Sequence, residues 1–176
     1  MTALKLLALI LAASIPIPTF AAAQEGDTAA VIALANAVDR AVDAKDWDAA
    51  LGYFAETIVS DQPGADPFEI PAAELVGGWE ENLHADKASF HLRGTHVVAF
   101  TESGAAATVT SKAYAFNRVD GIPGGDLYEV WGDYEYDVVL EDGAWRITRF
   151  AFEPSMQRGN IAVVSHQPGG DGMRRP

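Results

Sequence analysis

The hydrophobic period of this chain changes once, just after His84, and that change limits the folds open to it. Before it, apolar residues recur every three or four positions. Val31, Leu34, Ala35, Val38 and Val42 mark a helix from Thr28 to about Lys45, with Asp27 or Thr28 as its cap. Trp47, Leu51 and Phe54 form the stripe of a second helix in DWDAALGYFA. Leu75, Trp79 and Leu83 form that of a third, over about Ala72 to His84. Between them IVSD reads as a short strand, and Gln62 to Pro71 as a Pro/Gly loop. After the change the period is two. It predicts strands Ser89–Thr101, Ala105–Asn117, Leu127–Leu140 and Ala144–Glu153, with tight turns at ESG and EDG and a looser loop, VDGIPGG, as a flap over one end of the sheet. Helices followed by antiparallel strands predict an α+β fold: a curved sheet wrapped over about three N-terminal helices as a cone. A pocket is expected inside it, because helices laid on a strongly bent sheet rarely fill it.

The ends read differently. Residues 1–23 hold Lys5, the apolar run LLALILAASIPIP and small residues at Ala21 to Ala23, the pattern of a secretory signal peptide and too short for a membrane span. An exported chain, periplasmic or extracellular, is therefore expected, with one domain over residues 24–165 and no membrane contact after cleavage. The tail 166–176, QPGGDGMRRP after His166, has little to bury and reads as disordered. There is no cysteine, which excludes disulfides and thiol chemistry. Loss of Lys5 takes the formal charge from −13 to −14, and such acidity argues against nucleic acid as a partner.

The stretch SFHLRGTHVV carries two histidines an odd distance apart, so regular alternation sends His91 and His96 to opposite faces of the sheet. Phe90, Leu92, Val98 and Phe100 share parity with His96, and burial by that rule turns His91 outward. A bulge at Gly94, or an apolar outer sheet face, reverses the assignment. His84, His91 and His96 fit no zinc spacing, no G-x-S-x-G elbow is present, and no phosphate or dinucleotide loop appears. No metal and no cofactor is implied.

Taken in order, VDAKDWDAALGYFAETIVSD, ELVGGW, SFHLRGTHVV, SGAAATVTSKAYA, GDYEYDVV and GAWRITRFAF resemble the SnoaL-like branch of the nuclear transport factor 2-like superfamily, from about Val31 to Phe152. The resemblance implies an α+β cone with a deep apolar pocket, paired into a homodimer through the outer sheet face. Its members include polyketide cyclases, dehydratases and isomerases, and also subunits that do no chemistry, so fold does not select function. Two positions match the dehydratase-like members: Asp43 in VDAKDW and His91 in SFHLRG, a carboxylate orienting a catalytic imidazole. The tyrosine five residues before that aspartate is replaced by Val38.

Each candidate has a plainer reading. Asp43 lies among Asp39, Asp46 and Asp48, where most acids are solvated. Asp61 is either a pocket-mouth acid or an Asx-turn residue. Trp79, Tyr114 and Tyr134 either line the pocket for a ring-shaped or lipid-like ligand or belong to the core, and His96 reads as structural. Two functions follow. One is a cofactor-independent lyase or isomerase, with His91 as base and Asp43 as its orienting partner, acting on a small hydrophobic substrate, polycyclic ones included. The other is a non-catalytic periplasmic ligand-binding or accessory domain.

Overall fold

The computed structural model describes residues 20–168. Helix α1 spans Phe20–Ala44, α2 Trp47–Leu51 and α3 Ala72–Asn82, with strands β1 Phe54–Asp61 and β2 Phe68–Pro71 between the last two. Then come β3 Ala88–Phe100, β4 Ala106–Arg118, β5 Leu127–Glu141, β6 Ala144–Gly159 and a final turn of helix, α4 Ala162–Ser165. The expected leader lies outside the described residues apart from Phe20–Ala23, which open α1, and residues 169–176 of the expected tail lie outside them too. No helix among the described residues is long and apolar enough to cross a membrane.

The sheet runs in the order β2-β1-β6-β5-β4-β3, an open α+β arrangement as the change of period predicts. It is mixed rather than wholly antiparallel, because β1 pairs parallel with β6. The segment read as a Pro/Gly loop contains β2, which pairs with β1 as a hairpin. Phe54, read as helical, opens β1 instead.

The predicted α1 stripe is the core. Val31, Leu34, Ala35, Val38, Ala41 and Val42 are buried against Val76, Tyr136, Val138, Ile147 and Phe150. Lys45 ends the helix in the left-handed region at φ 60°, where the chain must leave the helical path. The VDGIPGG loop is tied down rather than loose. Asp126 Oδ1 accepts the N–H groups of Gly121 and Ile122, and Asn160 Nδ2 donates to the carbonyls of Pro123 and Gly125. His166, assigned to the disordered tail, is held with its Nδ1 3.1 Å from His84 Nε2.

Strand β3 departs from regular alternation. Gly94 pairs with Lys112 and Val97 with Thr110, so β3 carries one residue more than β4 across that interval. This bulge holds Thr95 at φ 53° and shifts the phase of the strand. His91 and Arg93 point inward before it, and His96, Val98 and Phe100 point inward after it. Phe90, Leu92 and Val97 are left exposed on the outer face. Both histidines therefore face the interior, and the rule that sends them to opposite sides fails because it assumes an unbroken ladder.

Candidate functional site

Asp43 stands in the last turn of α1 and His91 near the start of β3, and the packing of that helix along the edge strand brings them together. Asp43 Oδ1 lies 2.7 Å from His91 Nδ1, and Asp43 Oδ2 accepts the backbone N–H of His91 at 2.8 Å. β3 is an edge strand, and the carboxylate occupies a donor that no neighbouring strand reaches. An ionised carboxylate only accepts, so Nδ1 carries the ring proton and Nε2 presents a lone pair. Burial raises the Asp43 carboxyl, but the ring hydrogen bond, charge and backbone N–H of His91 outweigh it and hold the group below its ordinary value.

Beside this pair lies a second one. Arg93 Nε and Nη2 donate to the two oxygens of Asp39 at 2.5 and 2.8 Å, and Nη2 also donates to the Tyr136 hydroxyl. The Arg93 side chain is only 2% exposed, and its guanidinium lies 3.8 Å from the centre of the Tyr134 ring. Burial works against the Arg93 charge, but Tyr136 and Asp39 more than offset it, and the group is held firmly protonated. Burial also pushes the Tyr134 hydroxyl up to about 12 against the pull of Arg93, so it remains a neutral phenol.

These residues line an interior cavity of about 70 Å³, walled by Val38, Val42, Trp79, Leu83, Tyr134, Tyr136 and Phe150, with His91, Arg93 and Asp39 as its polar side. The same three polar residues also line a groove of about 590 Å³ between α1 and β3. The polar cluster thus forms the wall between cavity and groove.

Of the residues singled out from sequence, Asp43 and His91 come together, and Trp79 and Tyr134 line the cavity with His91. Tyr114 does not. It pairs with Leu92 and Trp131 on the outer face and donates to Glu129. Its parity along β4 is opposite to that of Ala113 and Ala115, which share the inner face with Gly132 and His91. Asp61 is also elsewhere, in a separate cleft, where Arg149 donates to it at 2.5 Å and to Glu135 at 2.6 Å. The cavity is too small, as it stands, for a polycyclic or lipid-like ligand, since sites for drug-sized ligands span roughly 300–1,000 Å³.

Sequence reasoning passed over Asp39, Arg93 and Tyr136. A signal was present. Asp39 and Asp43 are one helical turn apart, and His91 and Arg93 are two apart on a strand, so two acids on one helix face meet two bases on one strand face.

A family model described as a SnoaL-like domain matches residues 26–151. Solved structures with the same fold include the Kfla4162 protein of Kribbella flavida (TM-score 0.73, 21% identity, 81% of this chain and 99% of that one). A protein provisionally described as a scytalone dehydratase, from Novosphingobium aromaticivorans, gives a TM-score of 0.72 at 15% identity over 86% and 99% of the two chains. The LinA-type3 hexachlorocyclohexane dehydrochlorinase of Novosphingobium barchaimii gives 0.64 at 13% identity over 78% and 92%. No curated protein matches the sequence. At these identities the neighbours establish the fold, and the chemistry rests on the residues.

Proposed function

The chain belongs to the SnoaL-like domain family, and from that premise we propose that it is an exported, cofactor-independent lyase of the dehydratase type. The observation that carries the reading is the 2.7 Å contact between Asp43 and His91, with His91 lining a cavity whose walls are part polar and part apolar. Nε2 of His91 makes no hydrogen bond among the described residues, and a base of this kind removes a proton beside a carbonyl. The imidazolium formed is stabilised by Asp43, and it returns the proton to a departing β-hydroxyl. Relatives that share the fold carry names for elimination reactions, a dehydratase and a dehydrochlorinase among them.

The cavity volume bears on the alternative of a ligand carrier. About 70 Å³ suits a compact substrate held for reaction better than a large ligand held for transport.

The test uses 4-hydroxybutan-2-one in D2O. Deuterium entering the carbon between the carbonyl and the hydroxymethyl group, with butenone appearing, is the expected result, followed by proton NMR. His91→Ala should abolish both while leaving the melting temperature nearly intact. Unchanged turnover in that variant, or loss of folding in place of loss of turnover, would sink the assignment.

A further inference from the structure

We propose that Arg93 is a catalytic residue that holds the substrate carbonyl oxygen through Nη1 while His91 removes the adjacent proton. The inference rests on the reading of His91 as the base. Proton removal beside a carbonyl moves charge onto oxygen, and a donor aimed at that oxygen is what makes the step accessible. Val38, which lines the cavity beside them, supplies no donor.

Arg93 is placed for the task. It follows His91 by two residues on the inner face of β3, roughly 6–7 Å along the strand. Both side chains line the same cavity. Asp39 engages Nε and Nη2, Tyr136 engages Nη2 again, and the Tyr134 ring packs against the guanidinium plane. Nη1 makes no hydrogen bond among the described residues, although the side chain is nearly wholly buried. A guanidinium fixed on one side with an unused pair of N–H donors on the other has the form of a preorganised donor.

The charges indicate the substrate class. A base must start as the free imidazole, and in that form Arg93 and Asp39 cancel while Asp43 leaves the cluster at about −1. A free carboxylate would meet that excess, whereas a small neutral aldehyde or ketone would not. When the C–H bond breaks, its electron pair forms the enolate double bond, the carbonyl π pair moves to oxygen, and the proton goes to Nε2. The new imidazolium then lies beside Asp43 and the new oxyanion beside Arg93. Loss of the β-hydroxyl, protonated from Nε2, restores neutral His91 and releases water.

The test uses [2-13C]acetone with the full chain, reading the bound carbonyl resonance by 13C NMR. A downfield shift relative to acetone in water is expected in the wild type and in His91→Ala. It should vanish in Asp39→Asn/Arg93→Met, which removes both buried charges together. Arg93→Lys, which keeps an ion pair with Asp39 but has no second amine, serves as the companion variant if the double one unfolds, and it should lose the shift too. Tyr134→Phe, the control for a neighbouring hydroxyl in the cavity wall, should keep it. With 4-hydroxybutan-2-one, the Arg93 variants should lower kcat by about 10²–10³-fold with little change in KM. The proposal is overturned if acetone shows no bound signal, if the shift survives loss of Arg93, or if it disappears in Tyr134→Phe alone. A shift that depends on Arg93 without any exchange would instead remove the base reading and leave the donor in place.

Discussion

Asp43 grips His91 at two atoms, the ring nitrogen Nδ1 and the backbone N–H, with one oxygen to each. The same carboxylate therefore fixes the tautomer of the imidazole and occupies an otherwise unpaired donor of the edge strand. A structural task and the proposed chemical one fall on one side chain, and substitutions separate them.

Asp43→Asn keeps an oxygen for the backbone N–H but turns an amide N–H toward Nδ1. Nδ1 must then accept, Nε2 takes the proton, and the base is lost. Exchange into 4-hydroxybutan-2-one should fall by about 10²–10⁴-fold, the range that such assistance typically supplies. The melting temperature should stay close to that of wild type, whereas Asp43→Ala should lower it. Equal rates in the Asn variant and wild type would show that the tautomer is not set by Asp43.

The bulge in β3 gives the second prediction. Deleting Thr95 restores an equal residue count between Gly94 and Val97 and their partners on β4. Regular alternation then forces either His91 and Arg93 or His96, Val98 and Phe100 to the outside. We expect loss of exchange activity together with a lower melting temperature. Thr95→Gly is the matched control. Relief of a left-handed threonine is worth about 1–2 kcal/mol, less about 0.5–1 kcal/mol for the freedom that glycine adds to the unfolded chain. Chemical denaturation should show the glycine variant slightly more stable.

This bulge also marks where the sequence stopped being informative. The helical stripe of α1 and the four long strands were legible because burial enforces a period over many residues. The Asp43–His91 pair was legible only through resemblance, since Asp43 lies off the centre of the buried stripe. Parity alone misassigned His91, because one residue at Thr95 resets the phase, and the exposed Phe90 and Leu92 imitate a buried set. Tyr114 was misassigned by the same logic: an outer face rich in aromatic residues has the pattern of an inner one. β2 was missed because a short edge strand takes its stability from β1 rather than from its own pattern.

That outer face supports a third expectation. Phe90 stacks on Phe116 at 5.5 Å, Tyr114 lies 5.0 Å from Trp131, and Leu92 and Met156 stand more than half exposed alongside them. Contiguous apolar surface of this kind is usually covered in solution. A second copy of the chain is the expected cover, giving a homodimer in sedimentation velocity. Leu92→Asp should shift the population to monomer, and a monomeric wild type would refute the pairing.

The fourth prediction concerns Lys87, which is wholly buried yet has no carboxylate among its hydrogen-bond partners. Its Nζ donates to Asn82 Oδ1 at 3.1 Å and to the Val164 carbonyl at 2.9 Å, fastening α4 to the end of α3. Burial, with the charge of Lys45 adding to it, lowers the ammonium from 10.5 to about 8. Below pH 8 the folded and unfolded states both hold this proton, so Lys87 adds no slope to stability. Above pH 8 the folded state releases it while the unfolded state keeps it, and stability rises with pH. Lys45, also lowered by burial, acts in the same direction. Above about pH 10 the sign reverses, because Tyr134, raised to about 12, keeps a proton that the unfolded state gives up. The melting temperature of the wild type should therefore climb between pH 8 and 10 and then fall. Lys87→Met, similar in length and without a charge to bury, should flatten the climb and leave the fall. A climb of the same size in that variant would place its origin in other groups.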